Sequence, residues 1–149
     1  EGIYKVSGEM KAELSDFAAG YATEEEVKQT IHDIYKNTGY VVDTHTAVAS
    51  RVYKAYAEDS GDSRKTVIAS TASPYKFVGS VMSAIDDKYK GMDELELLDE
   101  LSRISGTEIP KAIDEIRSAK VCHCEECDVD KMEETVKAIL GVNKNIGEK

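Results

Sequence analysis

Between Tyr40 and Ile85 the chain runs twice through one pattern: a short apolar stretch, a polar residue suited to cap a helix, then apolar residues at helical spacing. Tyr40-Val41-Val42 reads as a short strand, and Asp43 as the N-cap of a helix carrying Val48, Val52 and Tyr56. After a polar turn from Glu58 to Arg64, Thr66-Val67-Ile68-Ala69 reads as a second strand. Ser73-Pro74 then opens a helix whose apolar face is Val78, Val81, Met82 and Ile85. A helical crossover of this length joins parallel strands with a right-handed turn. The expected fold class is therefore α/β, helix-rich, with a few short parallel strands. Two parallel strands do not stand alone in water. They are expected to complete a larger sheet whose other strands come from elsewhere.

The flanking sequence is helical in pattern. Met10, Leu14 and Phe17 fall at i, i+4 and i+7, and Gly20 ends that helix. Thr23 with Glu26 forms a capping box ahead of Val27, Ile31, Ile34 and Tyr35, and Asn37 and Gly39 stop the run. Met92, Leu95, Leu98 and Leu101 lie near one face, widened by Leu97 and Ile104. Pro110 opens a helix with Ile113 and Ile116. A last helix carries Met132, Val136, Ile139 and Leu140, and its end, 141–149, is expected to fray.

Charge and cysteine usage exclude several functions. The 149 residues carry 29 acids against 19 bases, a net charge of -10. That field repels nucleic acid, and no basic amphipathic helix favours an anionic membrane. No apolar run approaches the roughly 20 residues of a membrane span. The hydrophobic fraction of 41% suits a folded chain. The three cysteines, Cys122, Cys124 and Cys127, crowd into one stretch, which fits a reducing cytoplasmic setting better than a disulfide framework. The chain begins without Met or a signal-peptide pattern, so it is expected to be processed or cut from something longer.

In open α/β sheets ligands bind beyond the carboxyl ends of the strands. Here those ends give Asp43-Thr44-His45-Thr46 and Ser70-Thr71-Ala72-Ser73, each at a helix start where free amides suit electron-rich groups. The two clusters are expected to share one edge. Taken singly, Asp43 and Ser73 are equally ordinary N-caps.

These residues also carry a family resemblance. GYVVDTHTAVA at 39–49 resembles the threonine synthase segment D-P-H-T-A-V, and IASTASPYKF at 68–77 resembles that family's S-T-A-H-P-x-K-F. Order and spacing agree, and the TEEEV and GTEIP stretches look like the same C-terminal region. Two positions depart from the pattern: Thr44 stands where the family has Pro, and Ser73 where it has His, so no role of that histidine is carried over.

The resemblance implies residues 1–149 are the C-terminal region of a threonine synthase, in the fold type II, tryptophan-synthase-β-like fold that uses pyridoxal 5'-phosphate (PLP). Such enzymes convert O-phospho-L-homoserine and water into L-threonine and phosphate. It implies that Thr71 faces the pyridine nitrogen, with Ser70 as a second or alternative partner. Asp43, His45, Thr46, Ser73 and Lys76 would line the site. It also implies that the cofactor-holding lysine and the glycine-rich phosphate cradle lie upstream, so this chain is expected to hold no catalytic residue and to be inactive by itself. Its partners would be the small-molecule substrate and the N-terminal part of the same protein.

Two other constellations compete. Cys122-His123-Cys124-Glu125-Glu126-Cys127 supplies three thiols and a histidine, against the four tetrahedral ligands of structural zinc. His123 sits awkwardly between two cysteines, so the fourth ligand would come from His32 or His45; otherwise this is a polar turn with free thiols. A non-catalytic binding or regulatory module with such a zinc site is the alternative function. Asp43, His45 and Ser70 contain the residue types of a hydrolase triad. However, Asp43 and His45 are two apart at a helix start and are expected to diverge.

Overall fold

A computed structural model describes residues 2–122 and 124–142. Its contacts divide the chain into two units, meeting at Arg117 and Ser118. In the first unit the α-helices are α1 (Gly8–Glu13), α2 (Glu24–Thr38), α3 (Thr44–Ser60), α4 (Val78–Ile85), α5 (Glu94–Ser105) and α6 (Lys111–Ile116). Single 3-10 turns cover Leu14–Asp16, Pro74–Phe77 and Asp87–Tyr89.

The helix starts follow from local chemistry. The Thr23 amide donates to Glu26 Oε2 at 2.9 Å, and the Glu26 amide donates to Thr23 Oγ1 at 3.3 Å. That reciprocal pair satisfies two amides the helix leaves orphaned. Glu26 also accepts from the Arg51 guanidinium at 2.8 Å, which links α2 to α3. Gly39 stops α2 in the left-handed region, at φ 73°, where a side chain would be strained.

Packing centres on α4, which is apolar nearly throughout. It lies against α2, against α5 and against the turn at Asp87–Tyr89, while α2 also packs on α3. Ile31, Ala47, Val81, Met82, Leu97 and Leu101 are essentially sealed from water. Each large apolar side chain so buried is worth about 1.5–3 kcal/mol relative to exposure.

The expected strands are not found among the described residues, and the α/β assignment is corrected there to an all-helical fold. A strand is defined by its hydrogen-bonded neighbour. Among the described residues, no backbone group of 65–72, or of Val41 and Val42, pairs with another backbone group. Both stretches are extended linkers with different environments. Val41 and Val42 enter the helical core at 6% exposure each, whereas Val67 is 90% exposed.

Two helical expectations also shift. The first helix stops at Glu13 rather than near Gly20, and Phe17 is extended and exposed. In α5 the inward stripe is Leu97, Leu98 and Leu101, while Leu95, and Met92 just ahead of the helix, are exposed.

In the second unit a 3-10 turn at Val129–Lys131 leads into α7 (Met132–Ile139). Met132, Val136 and Ile139 keep their helical spacing on an exposed face. The expected fraying of the end falls mainly on 143–149, outside the described residues. Among the described residues no helix is long and apolar enough to cross a membrane.

Candidate functional site

Asp43 is the centre of the site. It precedes α3 with extended backbone, so its side chain folds back over the first turn as an N-cap. Its Oδ1 accepts from the His45 amide at 2.9 Å and the Thr46 amide at 3.4 Å. Its Oδ2 accepts from the Thr46 hydroxyl. The carboxylate is 1% exposed. Burial alone pushes its pKa up, but the Thr46 hydroxyl, the two amides and the His45 ring together outweigh that and hold it below the ordinary carboxylate range.

His45 does not diverge from Asp43 as expected. Its Nδ1 lies 3.2 Å from Asp43 Oδ1, because the cap draws the carboxylate over the helix start, within reach of the ring. An ionised Asp43 only accepts, so Nδ1 carries the proton. The His45 ring also meets Phe77, with centroids 5.1 Å apart and planes tilted by 54°. His45 and Phe77 line a cavity of about 350 Å³ together with Glu24, Lys28, Thr44 and Ser80. Sequence reasoning missed Phe77 as a site residue, although it ends the STASPYKF segment directly after Lys76.

The two polar clusters do meet, through one contact. Thr46 Oγ1 lies 2.9 Å from Ser70 Oγ, across 24 residues of chain. Asp43, His45, Thr46 and Ser70 thus form one hydrogen-bonded group. Thr71, beside it, is exposed and its hydroxyl has no partner among the described residues. Ser73 stands apart as the cap of the Pro74–Phe77 turn, accepting from the Tyr75 amide at 3.3 Å. Lys76 is exposed, with its ammonium 5.5 Å from the Phe77 ring centroid. Ser70 meets Thr46 and not His45, so the triad residue types do not assemble into a triad.

Cys122, Cys124 and Cys127 are free and exposed. His123 lies outside the described residues. Among the described residues no three metal-ligating side chains are gathered for an ion.

A family model described as "Threonine synthase, C-terminal" matches residues 46–138. The chain belongs to the threonine synthase C-terminal family. The match takes in Thr46, Ser70, Thr71, Ser73 and Lys76 and begins just after Asp43 and His45. The chain is also similar to threonine synthase-like 1 of Macaca fascicularis, 36% identical over 74 residues. That alignment spans 49% of this chain and only 9% of the relative.

Proposed function

We propose that this chain forms one wall of a PLP site in a threonine synthase that converts O-phospho-L-homoserine and water into L-threonine and phosphate. The observation that carries this reading is the free hydroxyl of Thr71, exposed beside a loop held by Ser70 on Thr46. Such a hydroxyl fits an aromatic ring nitrogen. It can donate or accept, so it does not force that nitrogen to hold a proton as a carboxylate would. Bound PLP supplies an electron sink for the substrate's α and β carbons.

The other residues support that surface. Asp43 caps α3 and holds Thr46, and Thr46 holds Ser70. Phe77 packs against the His45 ring in a tilted pair. Lys76 points to solvent rather than into this group. In this reading the covalent lysine and the phosphate cradle come from residues outside these 149, and the chain by itself is inactive.

Thr71→Val in the intact protein tests the reading. Threonine formation should fall roughly tenfold or more, the scale of one hydrogen bond of about 1.4 kcal/mol. The cofactor absorption band should shift as well. Unchanged turnover with an unchanged spectrum would overturn the role of Thr71.

A further inference from the structure

The hydrogen bonds around Asp43 fix the direction of each proton in the group. An ionised carboxylate accepts and cannot donate. The single proton of Thr46 is therefore committed to Asp43 Oδ2. Thr46 Oγ1 also lies 2.9 Å from Ser70 Oγ, and there it can only accept. The single proton of Ser70 must then point inward, at Thr46. On its exposed side Ser70 is left with lone pairs alone. Thr71 keeps both capacities, because its hydroxyl has no partner among the described residues.

We propose that Asp43 and Thr46 make Ser70 an obligate hydrogen-bond acceptor, so that the loop's two adjacent hydroxyls take different ligand atoms. Ser70 takes a donor such as a protonated nitrogen or an ammonium group. Thr71 takes a donor or an acceptor. A ring nitrogen without a proton finds its partner in Thr71 and is repelled, lone pair against lone pair, by Ser70. The identity of that nitrogen rests on the function proposed above; the order of the protons belongs to the chain alone. Asp43 and Thr46 are positioning residues here, acting on a ligand only through Ser70. The ionised state this requires is the one the site favours, since four donors hold the Asp43 carboxyl below the ordinary range despite its burial. His45 is the titratable side chain in direct contact with it.

Carbon-13 NMR titration of the Asp43 carboxyl in the full chain tests the proton order without any cofactor. Thr46→Val keeps the side-chain shape and removes one donor. The carboxyl midpoint should rise by roughly one pH unit. Thr46→Ser should restore it, and Ser70→Ala should leave it nearly in place, because Ser70 does not touch Asp43. Thr46→Ala gives the same rise if valine does not fit beside Ser70. A midpoint that stays or falls in Thr46→Val and Thr46→Ala means the hydroxyl does not donate to the carboxylate, and the proposal is overturned.

The division between the hydroxyls is read in the intact protein with PLP labelled by nitrogen-15 in the pyridine ring. For an unprotonated ring, Thr71→Val should move the nitrogen resonance and Ser70→Ala should not. The reverse pattern overturns the division. Failure of the intact protein to take up PLP overturns the function proposed above, and the Asp43 midpoint still decides the proton order.

Discussion

The Tyr75 hydroxyl donates to the carbonyl oxygen of Thr107 at 2.8 Å, across 32 residues of chain. It ties the turn after the candidate loop to the segment beyond α5. The same carbonyl accepts from the Ser102 hydroxyl at 2.7 Å. Tyr75→Phe therefore leaves no orphaned acceptor. The hydroxyl also lies 3.1 Å from Thr107 Oγ1, so the cost should be the net value of two bonds, about 1–2 kcal/mol, in urea unfolding. A loss above about 2 kcal/mol would show that the ring shifts when the hydroxyl goes.

Gly20 is tight for a steric reason rather than a conformational one. A Cβ placed there would sit 2.7 Å from Val52 Cγ1. Valine is stiff about χ1 and cannot swing aside cheaply. Gly20→Ala should destabilise by about 1–3 kcal/mol, the range of overpacking. Combined with Val52→Ala, it should cost clearly less than the two changes summed. Strict additivity in that double-mutant cycle would remove the clash as the cause.

The rotation of α5 is open to a paired comparison. Leu101 is fully sealed and Leu95 is 44% exposed. Leu101→Ala should cost about 2–5 kcal/mol. Leu95→Ala should stay within about 1 kcal/mol, since half its surface already meets water. Equal losses by thermal or urea unfolding would place the inward stripe elsewhere.

Asp43 should leave an acid signature on stability. Its carboxyl ionises more readily in the folded chain than in the unfolded one. The stabilisation is then complete above the ordinary Asp value of about 4 and is lost as the pH falls toward the lowered folded value. Asp43→Asn keeps the shape and removes the titration. Below about pH 5, the advantage of the natural chain over Asp43→Asn should shrink as the pH falls toward the lowered folded value. An advantage that grows as the pH falls through that range would contradict an ionised Asp43 in the folded state.

The parts of the structure legible in the sequence are those fixed within one helical turn. Thr23 with Glu26, Asp43, and Gly39 act on neighbours two to four residues away, and the structure has them as read. The strands failed for the opposite reason. An extended run such as Thr66–Ala69 becomes a strand only beside a partner, and its own residues do not carry that partner. The face of α5 was ambiguous because four leucines form two overlapping stripes, at 95/98 and at 97/98/101. The packing of α5 on α4 chooses between them. Thr46 does meet Ser70, but the sheet edge from which that was expected is absent among the described residues, and a linker delivers the contact. The contact between His45 and Asp43 was missed because the spacing rule for helix interiors does not hold at a cap.

Residues 65–72 make no backbone-to-backbone hydrogen bonds, and Ser70 to Thr46 is the one side-chain bond that fastens them to α3 among the described residues. A tether of that kind is worth about 1 kcal/mol, far below the global stability of a domain. The segment is therefore held to α3 by side chains and not by its backbone. Its amides, without a backbone partner among the described residues, should exchange with solvent before those of α2 or α4.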